Sequence, residues 1–143
     1  MEDCFICRKH RKLKPEPPGS YIYEGDHWLV CHAAPNLGPL GTLFIESRRH
    51  FLDYAEMNEA EAATLGPLLK QIHQALRAEL DPERIYQVML MDGIPHFHNW
   101  FVPRLHGTQE RGLKFLARDD ACTEADATAL AQRLQNHFQS FSL

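Results

Sequence analysis

The 143-residue sequence predicts an α+β fold in which an antiparallel five-stranded sheet packs against one long helix and a C-terminal helix. Three observations predict it. Short runs rich in aromatic and β-branched residues, punctuated by Gly and Pro, recur at strand length between residues 21 and 46. A long stripe of apolar residues at helical spacing follows, and two further strand-like runs close the pattern, the second carrying His96 and His98. Helices gathered on one face of an antiparallel sheet satisfy that order.

Residues 21–23, 28–31 and 42–46 read as the first three strands, with Gly25-Asp26 as a hairpin-like turn and residues 35–41 as the next connection. The sheet therefore starts as an antiparallel meander. Asn58 reads as a helix cap with Glu61 three residues on, followed by Ala62, Leu65, Leu69, Ile72, Leu76 and Leu80 as the buried stripe. Gly66-Pro67 should bend the first turns, because proline removes a hydrogen bond and crowds the preceding turn. His73 falls on the helix surface. Asp81-Pro82 ends the helix, and residues 85–90 and 96–102 supply two more strands joined across Asp92-Gly93. A last helix starts near Thr123, with Asp126 as its capping partner, and buries Ala127, Leu130, Leu134 and Phe138.

With 44% hydrophobic and 24% charged residues, the composition is that of a globular chain, read as one domain over residues 1–143. Pro15, Pro17, Pro18 and Gly19 set off residues 1–20 as an N-terminal extension. No apolar run approaches the ~20 residues that span a bilayer, and the acidic start Met1-Glu2-Asp3 is unlike a signal peptide, so a cytoplasmic location is expected. A net charge of -4 argues against general affinity for nucleic-acid backbones. The basic run Arg8-Lys9-His10-Arg11-Lys12-Leu13-Lys14 reads as a solvated loop.

Four cysteines in such a chain are thiols or metal ligands rather than a disulfide framework. Cys31 and Cys122 lack partner spacing and read as small buried or half-buried residues. Cys4-x2-Cys7 differs, since two thiolates at that spacing grip one metal ion while distant histidines complete the shell. His10 is a rival ligand by the same spacing.

In an extended segment, side chains alternate between faces. His96, His98, Trp100 and Val102 then share one face, and Phe97, Asn99 and Phe101 share the other. A neutral imidazole so presented can attack phosphorus.

The run His96-Phe97-His98-Asn99-Trp100-Phe101-Val102-Pro103-Arg104 resembles the H-φ-H-φ-H-φ-φ signature, often closed by Pro-Arg, of the histidine-triad (HIT) family of nucleotide hydrolases and transferases. Trp100 stands in the third histidine's place. Residues 90–95 resemble the lead-in of one bacterial branch, and residues 41–50 resemble the family's Gly-x-Leu-φ-φ-Pro-Lys-x-His segment. Cys4-Phe5-Ile6-Cys7 resembles the start of many members, so the likeness runs from Cys4 to Arg104.

The resemblance implies a HIT-like fold, a small-molecule nucleotide as substrate and a nucleotidyl-histidine intermediate on His98. It implies a structural zinc ion held by Cys4, Cys7, His50 and His96, and a homodimer formed through the long helix and a sheet-edge strand. Backbone N–H groups at Gly93 and Ile94 would lie near the substrate, and a carbonyl near His96 would hold the His98 ring. His32 and Trp100 are the expected substrate-binding residues: His32 stands where many members place an acid for the ribose and either hydrogen-bonds a hydroxyl there or simply closes a turn, and Trp100 offers an indole N–H in place of an imidazole. His106 is a substitute acid. The alternative is a catalytically impaired nucleotide-binding protein that keeps the metal.

Overall fold

The structure is a computed structural model that describes residues 3–143; Met1 and Glu2 of the acidic start lie outside the described residues. Its sheet contains β1 (Tyr23–Glu24), β2 (Trp28–His32), β3 (Leu43–Ser47), β4 (Arg84–Val88) and β5 (His98–Arg104) in the order β1-β2-β3-β5-β4, with all neighbours antiparallel. The meander ends at β3. β5 then pairs with β3, leaving β4 at the edge.

Register fixes the two faces. Phe44 lies opposite Cys31 and Trp100, and Glu46 opposite Leu29 and His98, so these side chains share a face. Trp28, Val30, Leu43, Ile45 and Phe101 point the other way, into a core that also takes Phe97 from just before β5. α2 (Glu59–Leu80) and α4 (Glu124–Asn136) cover that core. Both sheet faces are therefore largely enclosed, but only one by the long helices.

α2 begins as its sequence suggests: the Asn58 side chain accepts from the Glu61 N–H, and Glu61 accepts from the Asn58 N–H. Its buried side differs from the expected stripe. Leu65, Leu68, Ile72, Ala75 and Leu76 face inward, whereas Ala62 is exposed and Leu69 and Leu80 are half-buried. The helix also runs unbroken through Pro67. Gly66 and Pro67 are on the exposed side, where water can take up the carbonyl that proline leaves unpaired. α4 starts at Thr123, whose hydroxyl accepts from the Asp126 N–H, and buries Ala127, Leu130 and Leu134.

Two short helices fall outside the sequence expectations. α1 (Phe5–His10) takes Arg8, Lys9 and His10 of the basic run into helix, and α3 (Leu113–Leu116) follows β5. β5 begins at His98 rather than His96, because the main chain around Pro95 folds back so that the His96 N–H donates to the Ile94 carbonyl. The β4–β5 link is accordingly a loop over residues 89–97 and not a tight turn at Asp92-Gly93. Among the described residues, no helix is long and apolar enough to cross a membrane.

Candidate active site and metal centre

His98 leads the face turned away from the long helices. Its Nδ1–H donates to the His96 carbonyl at 2.6 Å, which leaves Nε2 with the lone pair. His98, Trp100 and Val102 line one cavity of about 700 Å³, as the alternation along the strand requires. Phe44 packs edge-on against Trp100, with ring centroids 4.4 Å apart, and against His98 at 6.1 Å. Gly93 and Ile94 close one side of the cavity, and Leu113 to Arg118 form its outer wall. Asn99 lies on the core face, its Nδ2 3.5 Å from the Tyr54 hydroxyl.

That outer wall is held by the end of the same strand. Arg104, 2% exposed, donates to Glu83 at 3.0 Å and to the Tyr86 hydroxyl at 3.1 Å, and the same hydroxyl accepts from the Gly112 N–H at 2.7 Å. Strands β4 and β5 are thereby pinned to the first residue before α3.

On the other side of the Gly93–Pro95 loop, Cys4, Cys7, His50 and His96 bring one ligand atom each within 4.8 Å of one another. The thiol-to-imidazole distances are 3.4, 3.5 and 3.5 Å, and the two Nδ1 atoms are 3.2 Å apart. Zinc–nitrogen and zinc–sulfur bonds of ordinary length in a tetrahedron place sulfur about 3.6 Å from nitrogen and the two nitrogens about 3.3 Å apart. The donor set fits a metal ion. His96 Nε2–H donates to the Ser47 carbonyl at 2.7 Å, which directs Nδ1 at the cluster. Burial keeps that ring neutral, with a pKa pushed down to about 4.

His10 is not among the four. Its Nε2 is 3.1 Å from Glu46, and Lys9 Nζ sits 2.7 Å from the other oxygen of the same carboxylate and 3.2 Å from Cys31 Sγ. Only Arg11 to Lys14 of the basic run remain outside α1. Burial works against the Glu46 carboxylate, but hydrogen bonds from His10 and Lys9 outweigh it and hold its pKa below the usual range. Cys31 is fully buried, and burial pushes its thiol up to about 12. Glu46 was missed from sequence. The available signal is a carboxylate at an inward position of an otherwise apolar strand.

His32 takes the turn-closing one of its two readings. Its Nδ1–H donates to the Ala33 carbonyl at 2.7 Å and its Nε2 accepts from the Gly41 N–H at 2.9 Å, so neither nitrogen is left for a ribose. Gly41 reaches it with φ +92°, where a Cβ would stand 2.5 Å from Leu80. His32 borders a separate cavity of about 410 Å³ that also meets Lys9, Glu16, Phe44 and Glu124. His106 is exposed and does not line the His98 cavity.

No protein-family model matches the sequence, and no curated protein matches it. Solved structures do match the fold. A Hit-like protein involved in cell-cycle regulation from Bartonella henselae superposes with a TM-score of 0.73 at 11% identity, covering 96% of this chain and 98% of that one. A hypothetical histidine triad nucleotide-binding protein from Sulfolobus tokodaii strain 7 gives 0.74 at 14% identity, over 95% and 92% of the two chains. A zinc-bound histidine triad family protein from Mycobacterium smegmatis gives 0.71 at 19%, over 94% and 95%. At these identities the likeness is one of fold, and the chain has the histidine-triad fold over nearly its whole length.

Proposed function

We propose that this chain is a HIT family member that hydrolyses or transfers nucleotidyl groups through a nucleotidyl-histidine intermediate on His98. The observation that carries the reading is the 2.6 Å hydrogen bond from His98 Nδ1 to the His96 carbonyl, on a ring that borders the larger cavity. It holds the imidazole in the tautomer whose Nε2 is nucleophilic. In the first step that nitrogen attacks the α-phosphorus and the leaving group departs. In the second, water or another acceptor displaces the imidazole. Gly93 and Ile94 border the same cavity, and their N–H groups are the proposed donors to the phosphoryl oxygens.

Zinc is the ion we assign to Cys4, Cys7, His50 and His96. Four protein ligands leave no open position, so its contribution is structural: it ties the N-terminal extension to the residue that orients His98. The protein is read as a single-domain cytoplasmic homodimer. A specific observation favours a second reading, nucleotide binding without turnover: Trp100 occupies the place of a group that exchanges protons, and an indole N–H does not.

Incubation with a nucleotide labelled at the α-phosphorus, followed by a denaturing quench, separates the two. An acid-labile adduct on His98 supports the catalytic reading. Label retained only before denaturation supports the binding protein.

A further inference from the structure

Two cavities that meet at Leu37 differ in the charged side chains they present. The larger one, beside His98, is walled by Leu37, Val88, Leu90, Val102, Leu113 and Phe115. Its other charged side chains are Arg118 and Asp120, paired with each other at 3.1 Å. The smaller one is also walled largely by apolar residues, among them Phe5, Pro17, Leu37 and Phe44, but adds Lys9, Glu16 and Glu124 at its rim. A base and ribose, dense in donors and acceptors, are better matched by the second. An apolar substituent of the phosphorus is matched by the first.

A second fact concerns protons. Apart from His98 itself, whose lone pair is the proposed nucleophile, and Asp120, whose carboxylate is taken up by Arg118, the cavity wall carries, among the described residues, no group that exchanges a proton near neutrality. Trp100 donates a hydrogen bond but keeps its hydrogen. A leaving atom in this cavity is therefore not protonated by the protein as its bond to phosphorus breaks.

We infer that the preferred substrates are nucleoside phosphates whose phosphorus bears an apolar group that departs as a stable oxyanion, an aryloxide or an apolar carboxylate, in preference to an alkylamine. The inference rests on His98 as nucleophile. In the first step the Nε2 lone pair forms the N–P bond, and the P–O bond to the apolar group breaks with its electrons staying on oxygen. Water then forms the new P–O bond and frees the imidazole, its two protons passing to solvent. The sum is nucleoside aryl phosphate plus water giving nucleoside monophosphate, aryloxide and two protons.

The test compares turnover of the 4-nitrophenyl phosphate esters of adenosine and guanosine with that of their N-benzyl phosphoramidates. The better ester should exceed its amide by about 10²-fold in kcat/KM, the lower range of what a positioned acid supplies. Trp100→His should shrink the ratio below about tenfold by speeding the amide, whereas Trp100→Phe should leave it unchanged. Independently, the unreactive phenylphosphonate of the same nucleoside should bind about tenfold more tightly than the methylphosphonate, by burying the ring. A Leu113→Ser/Leu116→Ser variant should lose that margin. Equal turnover of ester and amide, equal binding of the two phosphonates, or a ratio indifferent to Trp100→His overturns the inference while leaving His98 catalysis standing. No turnover of any compound and no adduct on His98 overturns both.

Discussion

The carbonyl of His96 accepts the Nδ1–H of His98 at 2.6 Å, so a residue of the metal cluster also sets the tautomer of the imidazole beside the larger cavity. The candidate metal ligand and the proposed nucleophile are thus two residues apart on one stretch of chain, with different consequences expected when each is replaced.

His98→Ala is expected to abolish the covalent adduct and lower turnover by about 10⁴-fold or more, with metal content and thermal midpoint near those of the parent. His96→Ala should instead lose metal and melt several degrees lower. Metal analysis and calorimetry on the two purified variants separate the roles; matching profiles would merge them.

Protein purified without chelator should contain one zinc ion per chain, and chelation should lower the melting temperature, because a closed site contributes its binding free energy to folding. His50→Ala should reduce the zinc content, whereas His10→Ala should not, since His10 is directed at Glu46.

Asn58→Ala should cost about 1 kcal/mol, the usual value of a lost N-cap, lowering the melting temperature by about 3 °C in a domain of this size. Glu61→Gln addresses the charge alone. The Arg49 guanidinium holds the Glu61 carboxyl below its ordinary value of 4.5, and Lys9 and His10 do the same at Glu46. A carboxyl depressed in the folded state stabilises above the unfolded value and ceases to do so as the pH falls through the folded one. Stability should therefore decline below about pH 4.5, and less steeply in Glu61→Gln, as read from melting temperatures across the acid range.

Sedimentation at micromolar concentration should give twice the 16.5 kDa chain mass, in keeping with two-fold pairing.

Much of the site is legible in the sequence because periodicity and ligand spacing are local rules. Alternation alone puts His98, Trp100 and Val102 on one cavity wall, and Cys4-x2-Cys7 announces two ligands of a cluster. His32 was not legible, since a histidine that closes a turn with both nitrogens and one that meets a ligand look alike in sequence. α1 was hidden for a related reason: residues with ordinary loop character become helical when tertiary partners hold them, here Glu46 for Lys9 and His10. The buried side of α2 shifted from Leu69 to Leu68 because three- and four-residue spacings both satisfy a helical stripe, and only packing against the sheet chooses between them.

The sulfur of Cys4 serves two structures at once. It belongs to the metal cluster, and it accepts the Cys7 N–H at 3.4 Å as the cap of α1. Loss of a bound ion would then be expected to weaken the cap of that helix too, and with it the contacts of Lys9 and His10 to Glu46 on the strand next to His98. Cys4→Ser is therefore expected to loosen the helix as well as the candidate metal site.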